Sequence, residues 1–123
     1  MLTIEHASQH FKLSPATLRK KASSGEINCI RIGREYRFGW ADLWACENGK
    51  TPHTANNSRY QLDLLDKSDI AAATAVSVRT VERWIADGMP TRNVFSSVRC
   101  NPIDVTEWLR GRGIAVADGW WLS

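Results

Sequence analysis

Leu13-Ser-Pro-Ala-Thr-Leu-Arg-Lys-Lys-Ala-Ser-Ser-Gly25 holds a helix start, a helix body and a helix stop in one short run. The Ser14 hydroxyl can accept a hydrogen bond from an orphan amide of the first turn. Pro15 follows at the first helical position, where its missing N–H costs nothing. Gly25 suits the left-handed residue that closes such a helix. Leu18 and Ala22 are four apart and share one face, while Thr17, Arg19 and Lys20 fall elsewhere on the surface. The spacing predicts a short helix, apolar on one side and cationic on the other.

The same outline returns from Val76 to Gly88: Ser77 aligns with Ser14, Thr80 with Thr17, Val81 with Leu18, Arg83 with Lys20 and Gly88 with Gly25. Identity between the two stretches is low. The agreement of cap, apolar face, basic position and terminating glycine predicts a diverged internal duplication.

The length suits one ordinary domain or two very small ones. A module of about 50 residues is near the lower limit for independent folding, and six Trp supply large apolar surfaces to help it. No charged-then-apolar leader opens the chain and no run of ~20 apolar residues follows, so neither export nor membrane insertion is expected. A cytoplasmic protein whose three cysteines stay reduced is the expectation. The net charge of +3 resides in the first 50 residues, since the remainder balances. That half is the better candidate for a polyanionic partner.

Leu2 to Phe11 reads as a first helix capped by Thr3, with Ile4, Ala7 and Phe11 inward. Lys12 to Ser14 makes a tight connection, giving a helix-turn-helix arrangement. From Cys29 to Phe38 the period falls to two. Ile30, Ile32, Tyr36 and Phe38 are expected on one face of a hairpin, with Arg31, Glu35 and Arg37 on the other and Gly33-Arg34 in the turn. Trp40 to Glu47 returns to helix. The fold class is mainly α with small β-hairpin wings, as two tandem winged helix-turn-helix domains. Residues 1–50 form the first, 51–64 a polar linker, and 65–123 the second with an apolar C-terminal tail. In the second, Asp66 to Thr74 and Ser77 to Asp87 are helices, Val94 to Cys100 a hairpin, and Asn101-Pro102 opens a last helix. Tyr60, Leu62 and Leu64 alternate as a short docking strand. The tail ending in Trp120-Trp121 is expected to pack within the chain, with a homodimer contact as the alternative.

Residues 2–47 resemble the winged helix-turn-helix domains of phage excisionases and the related MerR-type domains. Leu2-Thr3 with Ala7, Leu13-Ser14, Thr17-Leu18, Ser24-Gly25, Arg31-Ile-Gly-Arg34 with Tyr36-Arg37, and Asp42-Leu43 carry the resemblance. Ser77-Val-Arg79-Thr80-Val81 with Trp84 and Gly88-Met-Pro90 is similar to the N-terminal domain of lambda-like terminase small subunits. The first resemblance implies that the second helix enters the major groove and that the wing touches backbone or minor groove. A major groove of roughly 12 Å admits a helix whose first turns face base edges. Ala16, Thr17, Arg19 and Lys20 are then the candidate helix contacts, and Arg31, Arg34 and Arg37 the wing contacts. Arg79, Thr80 and Arg83 are their counterparts in the second repeat, beside Glu82 and Asp87. Pro15 and Ala16 stand where excisionase-like domains often carry arginine, so phosphate contacts are expected to dominate over base reading.

Double-stranded DNA is the expected partner, with an integrase or a terminase large subunit as a protein partner. Catalysis is not expected. His6 and His10 lack the intervening glutamate of zinc hydrolases, no cysteine pair has zinc-site spacing, and no cofactor motif is present. The expected role is that of a phage or mobile-element protein, either an excisionase-like directionality factor or a transcription regulator. A terminase-like packaging subunit and an adaptor with one DNA-binding and one protein-binding repeat are the alternatives.

Overall fold

A computed structural model describes residues 1–52 and 58–122. It is helical with small antiparallel strand pairs, and the chain divides into two compact units, Met1–Asp63 and Leu64–Ser123.

In the first unit, α1 (Ile4–Phe11) starts on a reciprocal cap. Thr3 accepts from the His6 amide at 3.2 Å, and the His6 ring nitrogen Nδ1 accepts from the Thr3 amide at 3.3 Å. It stops at Lys12, whose φ of 54° turns the chain left-handed. α2 (Pro15–Ser23) begins on Ser14, which accepts from the Thr17 amide at 3.1 Å. Its end is a Schellman closure: Gly25 N donates to Ala22 O and Glu26 N to Lys21 O, around Gly25 at φ +82°. These local bonds fix two short helices, and the apolar positions then join them. Ile4, Ala7, Phe11, Leu18 and Ala22 are buried together with Ile27, Phe38 and Leu43. Each large apolar side chain so buried contributes about 1.5–3 kcal/mol.

β1 (Ile30–Ile32) and β2 (Glu35–Arg37) form the hairpin, paired Ile30↔Arg37, Arg31↔Tyr36 and Ile32↔Glu35. This corrects the expected faces. A two-residue loop joins positions of opposite parity, so Ile30 and Ile32 share a face with Glu35 and Arg37, and Arg31 shares the other with Tyr36. Ile30 and Ile32 are consequently exposed. The base of the hairpin is tied down by the Leu2↔Phe38 bridge, with bonds of 2.8 and 2.9 Å. α3 (Trp40–Trp44) is shorter than expected and ends before Glu47. Glu47 is buried instead, accepting or sharing a proton with His10 Nε2 at 2.8 Å. Trp40 meets the His10 ring edge-on at 4.9 Å.

The expected linker 51–64 lies partly outside the described residues. Its second half is not the expected strand. Ser58–Gln61 is a 3₁₀ turn, Tyr60 is buried, and Trp44 Nε1 donates to Tyr60 O at 3.0 Å.

The second unit opens with Leu65 bridged to Cys100 by two bonds of 2.8 Å. α4 (Lys67–Thr74) is capped by Asp66 in a reciprocal box with Asp69 and stops at left-handed Ala75. α5 (Val78–Ala86) is capped by Ser77 and closes around Gly88, with Gly88 N donating to Ile85 O and Met89 N to Trp84 O. α6 (Pro102–Gly111) begins on Asn101, which accepts from the Ile103 and Asp104 amides at 3.0 Å each. Between α5 and α6, Val94 and Ser97 exchange backbone bonds of 3.0 and 2.9 Å around a Phe95-Ser96 loop. Leu65, Ile70, Val81, Met89, Val105 and Leu109 form the core, and Ile114, Val116, Trp120 and Trp121 pack onto it. The tail is thus occupied within its own unit, and Trp120 Nε1 donates to Thr106 Oγ1 at 2.7 Å. Among the described residues, no helix is long and apolar enough to cross a membrane.

Candidate nucleic-acid interface

α2 presents Ala16, Arg19 and Lys20 to solvent because Leu18 and Ala22 take the inward face. Thr17 is only half exposed, and its hydroxyl lies 2.8 Å from the Ser14 hydroxyl. It serves the cap, so its methyl rather than its hydroxyl is left for a base. Neither Arg19 nor Lys20 forms an ion pair with any described residue.

The three hairpin arginines have different surroundings. Arg34 is exposed at the tip and forms no ion pair with a described residue. Arg37 is held by Glu35 at 2.8 Å and donates to Tyr36 O at 3.0 Å. Arg31 lies over the Tyr36 ring at 5.6 Å and donates to Gly33 O at 3.2 Å. A cleft of about 150 Å³ brings two of these together with the helix: Arg19 faces Arg34 and Arg37 across it, with Glu35 and Tyr36 on the hairpin side and Thr3, Ile4 and Glu5 from α1. Lys20, Ala16, Thr17 and Arg31 do not line it.

Glu5 is the cleft residue that sequence reasoning missed as part of the site. Only tertiary packing places the start of α1 beside Arg19. Its carboxyl is held below the usual range by backbone hydrogen bonding first, then by Thr3, with the Arg19 charge adding to the effect.

In the second unit Arg79 and Arg83 are exposed and without ion pairs among the described residues, and Thr80 again serves its cap, 3.1 Å from Ser77 Oγ. The neighbouring acids have partners from other helices: Glu82 pairs with Lys67 at 2.7 Å and Asp87 with Arg112 at 3.5 Å. The loop Phe95-Ser96 carries no cation, Arg92 is buried, and Arg99 donates to Val98 O at 2.8 Å. The candidate contacts of this unit, Arg79 and Arg83, lie on α5 alone, whereas the first unit places its candidates on both helix and hairpin.

His6 belongs to the α1 cap and His10 to the interior, so the spacing of four serves packing. Among the described residues no group of three or more His, Cys, Asp or Glu side chains could hold a metal. Cys29, Cys46 and Cys100 are free thiols.

Residues 1–43 match the family model of a helix-turn-helix domain. That match supports reading this part of the chain as a helix-turn-helix DNA-binding domain. Over 68 residues the chain is also 37% identical to lysozyme C-1 of Anas platyrhynchos, a stretch covering 55% of this chain and 44% of that one. Lysozyme C-3 of the same species is 37% identical over 68 residues, 50% of its length. The chain spans about half the length of the curated relatives it matches. No solved structure matches it significantly.

Proposed function

We propose that the chain is a double-stranded DNA-binding protein of a phage or mobile element, working in the cytoplasm as an excisionase-like directionality factor or a transcription regulator. The observation that carries this reading is the convergence of Arg19 with Arg34 and Arg37 on one cleft of a helix-turn-helix unit. The helix enters a major groove and the arginine-tipped hairpin follows the adjacent backbone. Caps recurring 63 positions apart, at Thr3 and Asp66, Ser14 and Ser77, support a duplicated winged helix-turn-helix.

Fluorescence anisotropy on a random duplex tests it. Binding should weaken linearly in log salt, and Arg19→Ala with Lys20→Ala should lower that slope by up to about 1.8, at ~0.9 per lost phosphate contact. A wild-type protein that leaves the duplex unbound at low salt refutes the proposal.

The uncharged Phe95-Ser96 loop favours a second reading, an adaptor whose second repeat contacts protein, such as an integrase. Duplex titration of the Arg79→Ala, Arg83→Ala variant separates the two, since the adaptor predicts no change. A terminase-like packaging subunit predicts a ring-sized species in light scattering, and the regulator a monomer or dimer. The likeness to the duck lysozymes raises glycoside hydrolysis, which needs one carboxyl kept protonated near neutral pH. We propose no enzymatic activity. Purified protein should leave a peptidoglycan suspension turbid.

A further inference from the structure

We infer that the cleft between α1, α2 and the hairpin is a socket for a single phosphodiester of the duplex, held jointly by Arg19 and Arg34. This rests on the DNA-binding reading above and goes beyond it by assigning two arginines to one phosphate. Arg19 and Arg34 come from different elements, line the same space and form no ion pair with any described residue. A guanidinium from each side matches the two non-bridging oxygens of a phosphodiester, which prefer planar, forked donors. The volume of about 150 Å³ equals roughly five waters at ~30 Å³ each, enough for a phosphate with part of its sugar. Its charged lining does not offer the apolar walls on which a flipped base would stack.

Two acids line the same space and limit what enters. Glu35 is taken up by Arg37 at 2.8 Å, so that pair is close to neutral. Glu5 is exposed at the start of α1 and, as a glutamate, is ionised at neutral pH. An incoming phosphate therefore meets the Glu5 carboxylate in the same space, and that repulsion weakens the bound state. The socket favours a diester flanked by further cationic contacts from Lys20 over an isolated anion, because those contacts offset the repulsion from Glu5.

Salt-dependence of duplex binding by the full chain separates a shared phosphate from two separate ones. Arg19→Ala or Arg34→Ala alone should lower the slope by less than about 0.9, because the other arginine still neutralises the phosphate, and the double variant by about 0.9 in total rather than about 1.8. A loss of about 0.9 in each single variant that sums to about 1.8 in the double, or a double variant with no change, overturns the shared socket while leaving DNA binding intact. Absence of wild-type binding removes both. Glu5→Gln is the second variant, and misfolding cannot mimic its outcome: it should tighten duplex binding several-fold. Unchanged or weaker binding by Glu5→Gln overturns the role of the acid and with it the socket.

Discussion

The hairpins of the two units solve the same two-residue turn with different residues, and the difference separates folding from charge placement. In the first unit Gly33 takes the positive φ of +64° and Arg34 occupies the second loop position, the pattern of a II′ turn. In the second unit Phe95 and Ser96 both take positive φ, 48° and 70°, which is the I′ pattern and normally asks for Asn-Gly. A turn with glycine frees its other position for a long cation. A turn made from Phe and Ser accepts backbone strain and has no charge to offer. The helices behave conversely: caps, closures and buried faces agree between units.

Core cavities test how alike the two interiors are, and they carry the largest expected effect. Phe11 and Ile70 are both fully buried. Phe11→Ala should cost ~3–5 kcal/mol and Ile70→Ala ~2–5 kcal/mol in urea unfolding. A loss below about 1 kcal/mol for either would show that its unit is loosely packed.

Next come the buried polar contacts, which differ. Glu47→Ala leaves His10 Nε2 without its partner in the interior and should cost about 1–3 kcal/mol. Thr106→Val removes a contact to half-buried Trp120 and should cost about 1 kcal/mol. Equal losses would mean that burial of the His10–Glu47 pair is energetically unimportant.

The turns themselves give a smaller effect, opposite in sign between units. Gly33→Ala meets no atom within 4 Å, so its penalty is purely conformational. It should destabilise by about 1 kcal/mol, while Ser96→Gly should stabilise by under about 1 kcal/mol. Thermal unfolding reads both signs, and a rise in Tm for Gly33→Ala would contradict the turn assignment.

The smallest effect is on thiol titration. Burial pushes Cys46 up to about 11, helped by Glu47, and Cys100 up to about 12. Because both folded values exceed the ordinary thiol value of about 9, their contribution to stability is complete below pH ~9 and fades as pH rises toward the folded values. At pH 8 a thiol reagent should modify Cys100 in the native protein most slowly of the three. Fast labelling of Cys100 would mean that the second unit opens readily.

The sequence by itself determined the local structure. Ser14, Ser77, Thr3, Asp66 and Asn101 bond to amides two or three residues ahead, and Gly25 and Gly88 close helices within five residues, so these elements were legible without knowing what packs on them. The inward faces of α2 and α5 followed from spacing alone. The tertiary structure decided everything that depends on distant partners: the parity of the hairpin faces, the burial of His10 on Glu47, the 3₁₀ turn at Tyr60, and the place of Glu5 in the cleft. Those contacts join residues far apart in the chain, where neither spacing nor propensity specifies which surfaces meet. The charge of the first unit could be counted from its residues, but its focus on one cleft arises only when α1, α2 and the hairpin enclose a common space.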